Sequence, residues 1–221
     1  MLSASKTIVA ESWLGGCAVV SAKEAVFRLR DKIGIVFFLV VLLSVAHNGR
    51  TLGLREPAED WLDVLGCVIV ASGHGLRILA LRHIGPISRT HVLKAPQLVT
   101  QGPYAVVRNP LYLGNWLIAT GLCLIAQLRW LLLLGPLAAF LLYYVTALAE
   151  ESTLLDLFGE HYRRYCQAVP RFFPRSLFTA IGWRRLFDGR GTKVVLWTKE
   201  YQAFLTSGIC IFLLELFERL H

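Results

Sequence analysis

The 221-residue chain contains 55% hydrophobic residues but only 17% charged residues, and its mean hydropathy is +0.54. A soluble domain carries about 25% charged residues, so this chain lacks the polar surface that water requires. Its net charge of +8 fits a nucleic-acid-binding protein only if the basic residues gather on one surface. The five cysteines form no Cys-x-x-Cys pair, which argues against a disulfide framework or a metal site. We therefore expect the excess apolar residues to face lipid.

The first apolar stretch, residues 8–20, follows Lys6 and loosely resembles a secretory signal. Glu11 interrupts this stretch, however, and no Ala-x-Ala cleavage site follows it. We interpret it as an interfacial or partly inserted helix.

Five further apolar stretches predict membrane helices, at 33–46, 61–81, 111–127, 130–149 and 203–214. About 20 apolar residues span a hydrocarbon core of ~30 Å, and 130–149 reaches this length without a formal charge. The first and last stretches are shorter, and the second contains Asp63, His74 and Arg77. Only Leu128 and Arg129 separate the third stretch from the fourth, which predicts a tight helical hairpin. The expected fold is an all-α, multi-pass membrane bundle of about five helices.

The basic residues follow the positive-inside rule if the N-terminus is cytoplasmic. The segments 1–32, 82–110 and 150–200 then lie inside and hold 18 of the 23 Lys and Arg residues. This bias predicts contact of the basic residues with anionic membrane lipid and no nucleic-acid partner. Arg outnumbers Lys 17 to 6, which favours a GC-rich genome and a bacterial inner membrane, although an endoplasmic reticulum protein fits the same pattern.

Two polar segments interrupt the apolar pattern on the predicted cytoplasmic side. The first contains Gly-Pro-Tyr at 102–104 and Arg-Asn-Pro-Leu-Tyr at 108–112, whose Gly-Pro and Asn-Pro pairs predict turns. The second begins with Glu-Glu at 150–151 and continues through Phe-Gly at 158–159 to Val-Pro-Arg at 169–171. Both segments adjoin the predicted hairpin, so we expect them to share one end of the bundle.

Each of these polar residues also has an interpretation without catalysis. Arg108 is then a topology determinant near the headgroups, and Tyr104 and Tyr112 belong to an aromatic belt. Glu150 and Glu151 are then a solvated helix end, although carboxylates at such an end more often face a cavity or a partner. The residue types alone leave both interpretations open.

The ordered set of motifs resembles the isoprenylcysteine carboxyl methyltransferase family. The resemblance rests on Gly-Pro-Tyr, Asn-Pro-x-Tyr-x-Gly four residues later, Glu-Glu after the next helix, Phe-Gly-x-x-Tyr and Val-Pro-Arg-x-x-Pro. The wider superfamily includes phospholipid N-methyltransferases. The resemblance divides the chain into N-terminal membrane helices at 1–91, a methyltransferase core at 92–175, and a basic linker with a last membrane helix at 176–221.

This resemblance implies a methyltransferase that binds S-adenosyl-L-methionine without a Rossmann fold, in agreement with the lack of a Gly-x-Gly-x-x-Gly motif. By similarity, the residues expected to bind the cofactor are Pro96, Gln97, Leu98, Val99, Tyr104, Asn109, Pro110, Leu111, Tyr112, Gly114 and Glu150. Arg108 and Glu150 are the expected catalytic residues, and Arg108 is expected to orient a carboxylate of cofactor or substrate. A carboxylate can pair with a cofactor cation, and aromatic faces can hold a sulfonium.

Two departures from the family pattern affect the choice of substrate. Asn109 stands where the family usually has His, and Thr146 stands where eukaryotic members carry a substrate-associated Arg. We therefore expect a lipophilic small molecule or lipid as methyl acceptor, with O-methylation of a carboxylate or hydroxyl as the leading reaction. N-methylation of an amine lipid such as phosphatidylethanolamine, and a non-catalytic membrane scaffold, stay open as alternatives.

Overall fold

The computed structural model describes residues 34–48, 52, 58–84, 97–173, 180–188 and 200–220. These residues form helices and irregular segments and include no β-strand, which confirms the all-α class. The helices are α1 (Gly34–Asn48), α2 (Ala58–Ile84), α3 (Pro110–Ala126), α4 (Arg129–Ala168), α5 (Ala180–Phe187) and α6 (Glu200–Leu220), and a 3₁₀ turn spans Gly102–Ala105. The predicted helix at 8–20 lies outside the described residues.

The helices present a large apolar surface to their surroundings. α2 and α4 are long and apolar enough to cross a membrane, and only 33% of the most apolar window of each is buried. Between residues 129 and 149, the large exposed apolar side chains of α4 are Trp130, Leu133, Leu134, Leu137, Leu141, Leu142, Val145 and Leu148. A water-soluble monomer rarely exposes so extended an apolar surface, so these faces fit lipid. α1, α3 and α6 contain shorter apolar segments at the positions of the other predicted spans.

One buried apolar cluster joins α1, α2, α3, α4 and α6. Its members are Val41, Val45, Val70, Leu122, Cys123, Ile125, Ala126, Leu128, Leu131, Cys210 and Leu214. Burial of apolar side chains at this junction holds the five helices together as one bundle. The predicted span at 203–214 therefore belongs to a helix that packs into the core.

α2 and α3 pack closely because glycines face each other at two levels. A Cβ atom added to Gly73 would lie 2.7 Å from the carbonyl oxygen of Gly114, and one added to Gly121 would lie 2.6 Å from that of Gly66. The two glycines are seven residues apart in both helices, about two helical turns, so the contact repeats along the antiparallel pair. Small residues allow helix backbones to approach in this way in membrane bundles.

The predicted hairpin between α3 and α4 is present, and Gln127 forms its turn. Gln127 has a φ of 48°, a left-handed conformation that reverses the chain within two residues. Its buried side chain donates from Nε2 to the carbonyl oxygen of Glu59 at 3.2 Å and to Asp63 Oδ1 at 3.1 Å. These hydrogen bonds attach the turn to the beginning of α2.

α4 continues well beyond the predicted span at 130–149. The part of α4 before Gly159, residues 129–158, extends about 45 Å at ~1.5 Å per residue, which exceeds the ~30 Å thickness of a hydrocarbon core. Gly159 interrupts the helical geometry with φ 51° and ψ −123°, a conformation that a residue without Cβ adopts at little cost. The second half of α4 therefore projects past the apolar region and carries Glu150 and Glu151 to the end of the bundle where α3 begins, which we call the site end.

α6 is also attached to α2 through polar and aromatic contacts. His74 Nε2 lies 2.9 Å from the Ser207 hydroxyl oxygen, and the His74 ring stacks on Phe204 with centroids 4.1 Å apart. His74 is 3% exposed, so this contact gives its Nε2 atom a polar partner within the helix pair.

Candidate active site

The segment before α3 folds into a compact turn that buries Tyr104. Gly102 has a φ of 62°, which glycine adopts readily, and the amide of Val107 donates to the carbonyl of Pro103 at 3.0 Å. The Tyr165 hydroxyl, on the projecting part of α4, donates to the carbonyl oxygen of Tyr104 at 2.7 Å. The turn is therefore attached to α4 at the site end.

The Val-Pro-Arg segment after α4 pairs with the residues that begin α3. The amide of Arg108 donates to the carbonyl of Pro170 at 2.9 Å, and the amide of Asn109 donates to the carbonyl of Arg171 at 3.3 Å. Asn109 is the residue before α3 and Pro110 its first residue, where a proline is favoured because that N–H has no intrahelical acceptor. Two motifs about sixty residues apart in sequence thus lie side by side.

Glu151 is the centre of a buried ionic cluster. Its carboxylate accepts hydrogen bonds from Arg171 Nε and Nη2, both at 2.9 Å, and from Asn109 Nδ2 at 2.7 Å. Arg108 Nη1 lies 3.3 Å from Glu151 Oε2, and Arg171 Nη1 donates to the Tyr144 hydroxyl at 2.8 Å. The hydrogen bond to Glu151 raises the pKa of Arg171. Two guanidinium groups therefore share one carboxylate, and the ionic cluster of Arg108, Glu151 and Arg171 carries a surplus positive charge.

Tyr104 brings a second set of charged groups to the site end. Burial, and next the Glu150 carboxylate, raise the pKa of Tyr104 well above its usual value, whereas Arg77 lowers it. Arg77 Nη1 of α2 donates to Asn115 Oδ1 of α3. Among the described residues, no group hydrogen-bonds to the buried Tyr104 hydroxyl or to Nε of Arg108. An unsatisfied buried polar group costs about 1–3 kcal/mol, so both atoms fit a site that a polar ligand completes.

An aromatic wall runs from the ionic cluster along α3 and α4. It consists of Trp116, Phe140, Tyr144, Phe172 and Phe173. The Phe140 ring is the centre of the wall, with centroids between 5.6 and 5.9 Å from those of the other four rings. The Arg171 guanidinium carbon lies 5.2 Å from the Tyr144 ring centroid. Phe173, at the outer end, is 62% exposed. The wall thus joins an apolar exposed surface to a cationic end.

Three more residues predicted to bind the cofactor lie in the first turns of α3: Leu111, Tyr112 and Gly114. Tyr112 is 8% exposed and stacks on Tyr143 with centroids 6.0 Å apart. Leu111 is half-buried. Gly114 faces α2, where a Cβ atom would lie 2.6 Å from Cγ of Arg77. Helix packing therefore already explains the missing side chain of Gly114, and its contact with a cofactor stays a prediction.

The predicted residues before the turn lie in an irregular segment. Leu98 and Val99 are half-buried there, and Gln97 is exposed. Pro96 lies outside the described residues. Within the described part of the chain, no group of three His, Cys, Asp or Glu side chains could hold a metal ion.

Sequence reasoning missed the roles of Glu151, Arg171 and Tyr165. Consecutive helical residues point about 100° apart, so Glu150 and Glu151 face different neighbours, and the apolar pattern does not show which faces inward. Arg171 belongs to the Val-Pro-Arg motif, but only the fold reveals that its guanidinium contacts Glu151. For Tyr165 the sequence contained no signal beyond its place in the projecting helix.

Comparison with known proteins places this arrangement in a family. The sequence profile described as phospholipid methyltransferase matches residues 61–161, from the first turn of α2 into the projecting part of α4. The nickel-cobalt-cadmium resistance protein NccN of Alcaligenes xylosoxydans xylosoxydans is 37% identical over 153 residues, which cover 69% of each chain.

Several other relatives carry the name of a methyltransferase. Protein-S-isoprenylcysteine O-methyltransferase B of Arabidopsis thaliana is 30% identical over 152 residues, 62% of this chain and 73% of the relative. The protein-S-isoprenylcysteine O-methyltransferase of Xenopus laevis is 33% identical over 122 residues, but these cover only 41% of its length. The profile and these relatives agree with the resemblance of the motifs. The chain therefore belongs to the family of membrane methyltransferases that includes the isoprenylcysteine carboxyl methyltransferases and the phospholipid methyltransferases.

Proposed function

We propose that this chain transfers the methyl group of S-adenosyl-L-methionine to a lipophilic acceptor at the membrane, by O-methylation of a carboxylate or hydroxyl. The observation that carries the proposal is the pairing of two sets of groups at the site end. One set is the buried Tyr104 phenol with the nearby Glu150 carboxylate, and the other is the ionic cluster with its surplus charge. The first set suits a cofactor and the second an anionic acceptor.

The residues around Tyr104 fit the chemistry of the cofactor. S-adenosyl-L-methionine supplies an electrophilic methyl group on a sulfonium, together with an ammonium, a carboxylate and ribose hydroxyls. Glu150 can pair with the ammonium or accept from a ribose hydroxyl, and the free Tyr104 hydroxyl can supply a further hydrogen bond. The faces of Tyr104 and Tyr112 can attract the sulfonium. In this assignment Asn109 orients Glu151, and Gln97 to Val99 border the cofactor.

The ionic cluster and the aromatic wall favour an amphiphilic anion as acceptor. The wall can bind an apolar chain, and the guanidinium groups of Arg108 and Arg171 can orient a carboxylate at its end. A carboxylate nucleophile is already an anion, so the C–S bond breaks and the C–O bond forms without loss of a proton. Catalysis then depends on alignment of the two reactants and exclusion of water.

The same charges disfavour an amine acceptor such as phosphatidylethanolamine. Like unit charges at ~4 Å repel by about 4 kcal/mol at an effective dielectric constant of ~20, so the surplus guanidinium would oppose an ammonium headgroup. An amine would also have to lose a proton before or during methylation. N-methylation is therefore the second candidate, and a non-catalytic scaffold is the third.

The proposal includes a topology. We place the site end, the second half of α4 and α5 on the cytoplasmic side of the membrane, with five membrane spans and a cytoplasmic N-terminus. The 18 of 23 basic residues on that side support this orientation, and a bacterial inner membrane is the proposed location. The unit at 92–175 carries catalysis, and α1, α2 and α6 supply the surrounding bundle.

Calorimetric titration of S-adenosylhomocysteine into detergent-purified protein tests the cofactor assignment. Glu150→Ala is expected to weaken binding at least about tenfold, the effect of losing one charge-assisted hydrogen bond. Glu160→Ala, which removes a 63% exposed carboxylate from the same helix, is the matched control and is expected to bind like the parent. Absence of binding by a folded parent would refute the cofactor assignment and favour the scaffold.

Identification of the methylated atom separates the two enzymatic candidates. Membranes that contain the protein are incubated with methyl-labelled S-adenosyl-L-methionine, and the labelled lipids are extracted and treated with alkali. A methyl ester releases volatile labelled methanol, whereas an N-methyl group keeps its label in the headgroup. Label that stays entirely with an amine headgroup would overturn the proposed O-methylation.

A further inference from the structure

α5 belongs to the C-terminal part of the chain, beyond the match to the family at 61–161, yet it packs on the proposed site. Leu186 is 8% exposed and lies in the same buried cluster as Val106, Val107 and Tyr112. His83 Nε2, near the end of α2, lies 3.1 Å from the carbonyl oxygen of Asp188, the residue after α5. Two elements of the site end therefore fix the position of this short helix.

The outward face of α5 combines cations with an aromatic ring. Arg184 and Arg185 are exposed, and Phe187 is 62% exposed. Arg184 and Phe187 are three residues apart and so share one side of the helix. Within the described residues neither guanidinium takes part in an ion pair, and the adjoining Asp188 is the acidic residue of the segment. Aromatic rings and the charged ends of long basic side chains both favour the boundary between lipid and water.

α5 also lies at the right level for contact with headgroups. It packs against the turn at Gly102–Ala105, and this turn directly precedes the start of α3. His83 belongs to the last turn of α2, so the same contact places Asp188 where that apolar helix ends. Headgroups surround a bundle where its apolar helices end, so the proposed topology puts α5 and its exposed arginines at the level of the headgroups.

We propose that the exposed face of α5 is a docking surface for anionic phospholipid headgroups, and that docking stabilises the turn that carries Tyr104. Arginine forks match the geometry of a lipid phosphate, and Phe187 can enter the adjoining acyl boundary. Leu186 connects the docked helix to Val106 and Val107, next to the proposed cofactor site. The docking surface stands independently, whereas its effect on cofactor affinity rests on the proposed function.

Retention of labelled phosphatidylglycerol tests the docking surface without any need for cofactor. The protein in nanodiscs of phosphatidylcholine is titrated with fluorescent phosphatidylglycerol, with and without inorganic phosphate. The double variant Arg184→Gln/Arg185→Gln is expected to lower the preference for the anionic lipid by about 5-fold per arginine. Inorganic phosphate is expected to compete poorly, because it lacks the apolar part that Phe187 contacts.

An exposed arginine pair on α4 supplies the matched control. Arg163→Gln/Arg164→Gln removes the same charge from side chains that are 66% and 78% exposed, and is expected to leave the lipid preference unchanged. An equal loss of lipid preference in both variants would show that net charge alone sets the preference, and would overturn α5 as the docking surface. An unchanged preference in the α5 variant would overturn the docking surface outright.

Affinity for S-adenosylhomocysteine in the two lipids tests the coupling. The parent is expected to bind S-adenosylhomocysteine at least about 5-fold more tightly in discs that contain phosphatidylglycerol than in discs of phosphatidylcholine alone. A change of this size is usual for coupled sites. The α5 arginine variant is expected to lose this difference, and Leu186→Ala to lose it while keeping the lipid preference. Equal affinities of the parent in both lipids would overturn the coupling, and no binding in either lipid would refute the proposed function instead.

Discussion

The two neighbouring carboxylates at the site end are expected to respond in opposite ways to substitution. Glu151 holds Arg108, Asn109 and Arg171 together, so Glu151→Ala is expected to destabilise the fold. Glu150 is half-buried and is not one of the three residues of this ionic cluster, so Glu150→Ala is expected to destabilise the fold less than Glu151→Ala and to weaken cofactor binding. The two substitutions would thus separate a structural carboxylate from the carboxylate that is proposed to bind the cofactor.

The magnitude for Glu151 follows from the charges that its removal leaves behind. Breaking a buried ion pair by removing one partner costs about 3–5 kcal/mol. The side chain of Arg108 is 12% exposed and that of Arg171 is 27% exposed, so water reaches both in part. The lower end of the range applies, and ~3 kcal/mol corresponds to a decrease of roughly 6–12 °C in Tm for a chain of this size. Glu150→Ala is expected to change stability by less than about 1 kcal/mol.

Thermal unfolding of cofactor-free protein in detergent, followed by intrinsic tryptophan fluorescence, measures both effects. The double variant Glu151→Ala/Arg171→Ala is expected to recover part of the lost stability, because it removes one of the uncompensated charges. Equal Tm values for Glu151→Ala and the parent would refute the ionic cluster as a stabilising centre. Equal and large losses in Glu150→Ala and Glu151→Ala would refute the separation of roles.

Three further expectations concern the helix contact, the buried phenols and the sulfonium. Gly73→Ala is expected to lower the free energy of unfolding by about 1–3 kcal/mol through overpacking, whereas Gly75→Ala, whose Cβ meets nothing within 4 Å, is expected to be neutral or stabilising in the same thermal assay. Burial raises the pKa of Tyr104 in the folded protein. The stability that the neutral phenol contributes is therefore complete below pH 10 and is lost as pH rises through the folded-state pKa. Tyr104→Phe is expected to reduce this loss of stability at alkaline pH, which unfolding measured against pH would show. Tyr112→Leu is expected to weaken the binding of S-adenosyl-L-methionine, which has a sulfonium, about 2- to 30-fold more than that of S-adenosylhomocysteine, whose sulfur is uncharged. Tyr112→Phe is expected to keep the ratio of the two affinities measured by calorimetry.

The apolar helices could be predicted because their length and composition leave few alternatives in a chain with so little charge. The hairpin followed from a gap of two residues, and Gln127 then supplied the left-handed turn. The second half of α4 was not predicted, because charged residues return after 149 and end the apolar pattern without ending the helix. α5 was part of a predicted basic linker, since eight residues are too few for a reliable helical period.

The candidate site was predictable only as far as its motifs resemble a family. Periodicity says nothing about which distant segments meet, so the backbone hydrogen bonds of Arg108 and Asn109 to the Val-Pro-Arg segment required the fold. The choice between Glu150 and Glu151 required the rotation of α4 about its axis, to which a sequence of two identical residues gives no clue. The glycine pairs of α2 and α3 had a signal in their shared spacing of seven, but this spacing acquires meaning only once the two helices are known to be antiparallel neighbours.

The charges at the site end also explain why the missing arginine at Thr146 does not decide against an anionic acceptor. Thr146 is 4% exposed and its hydroxyl donates to the carbonyl of Leu142 within α4, so it contributes no charge to the site. Arg171 instead brings a guanidinium from the segment after α4, and its contact with Tyr144 directs that charge towards the aromatic wall. Arg171 belongs to the Val-Pro-Arg motif that the chain shares with the family, so the cation that it supplies to the proposed site does not depend on the residue at position 146. Under the proposed function, the acceptor is therefore expected to keep the amphiphilic anionic character implied by the family, even though Thr146 offers it no charge.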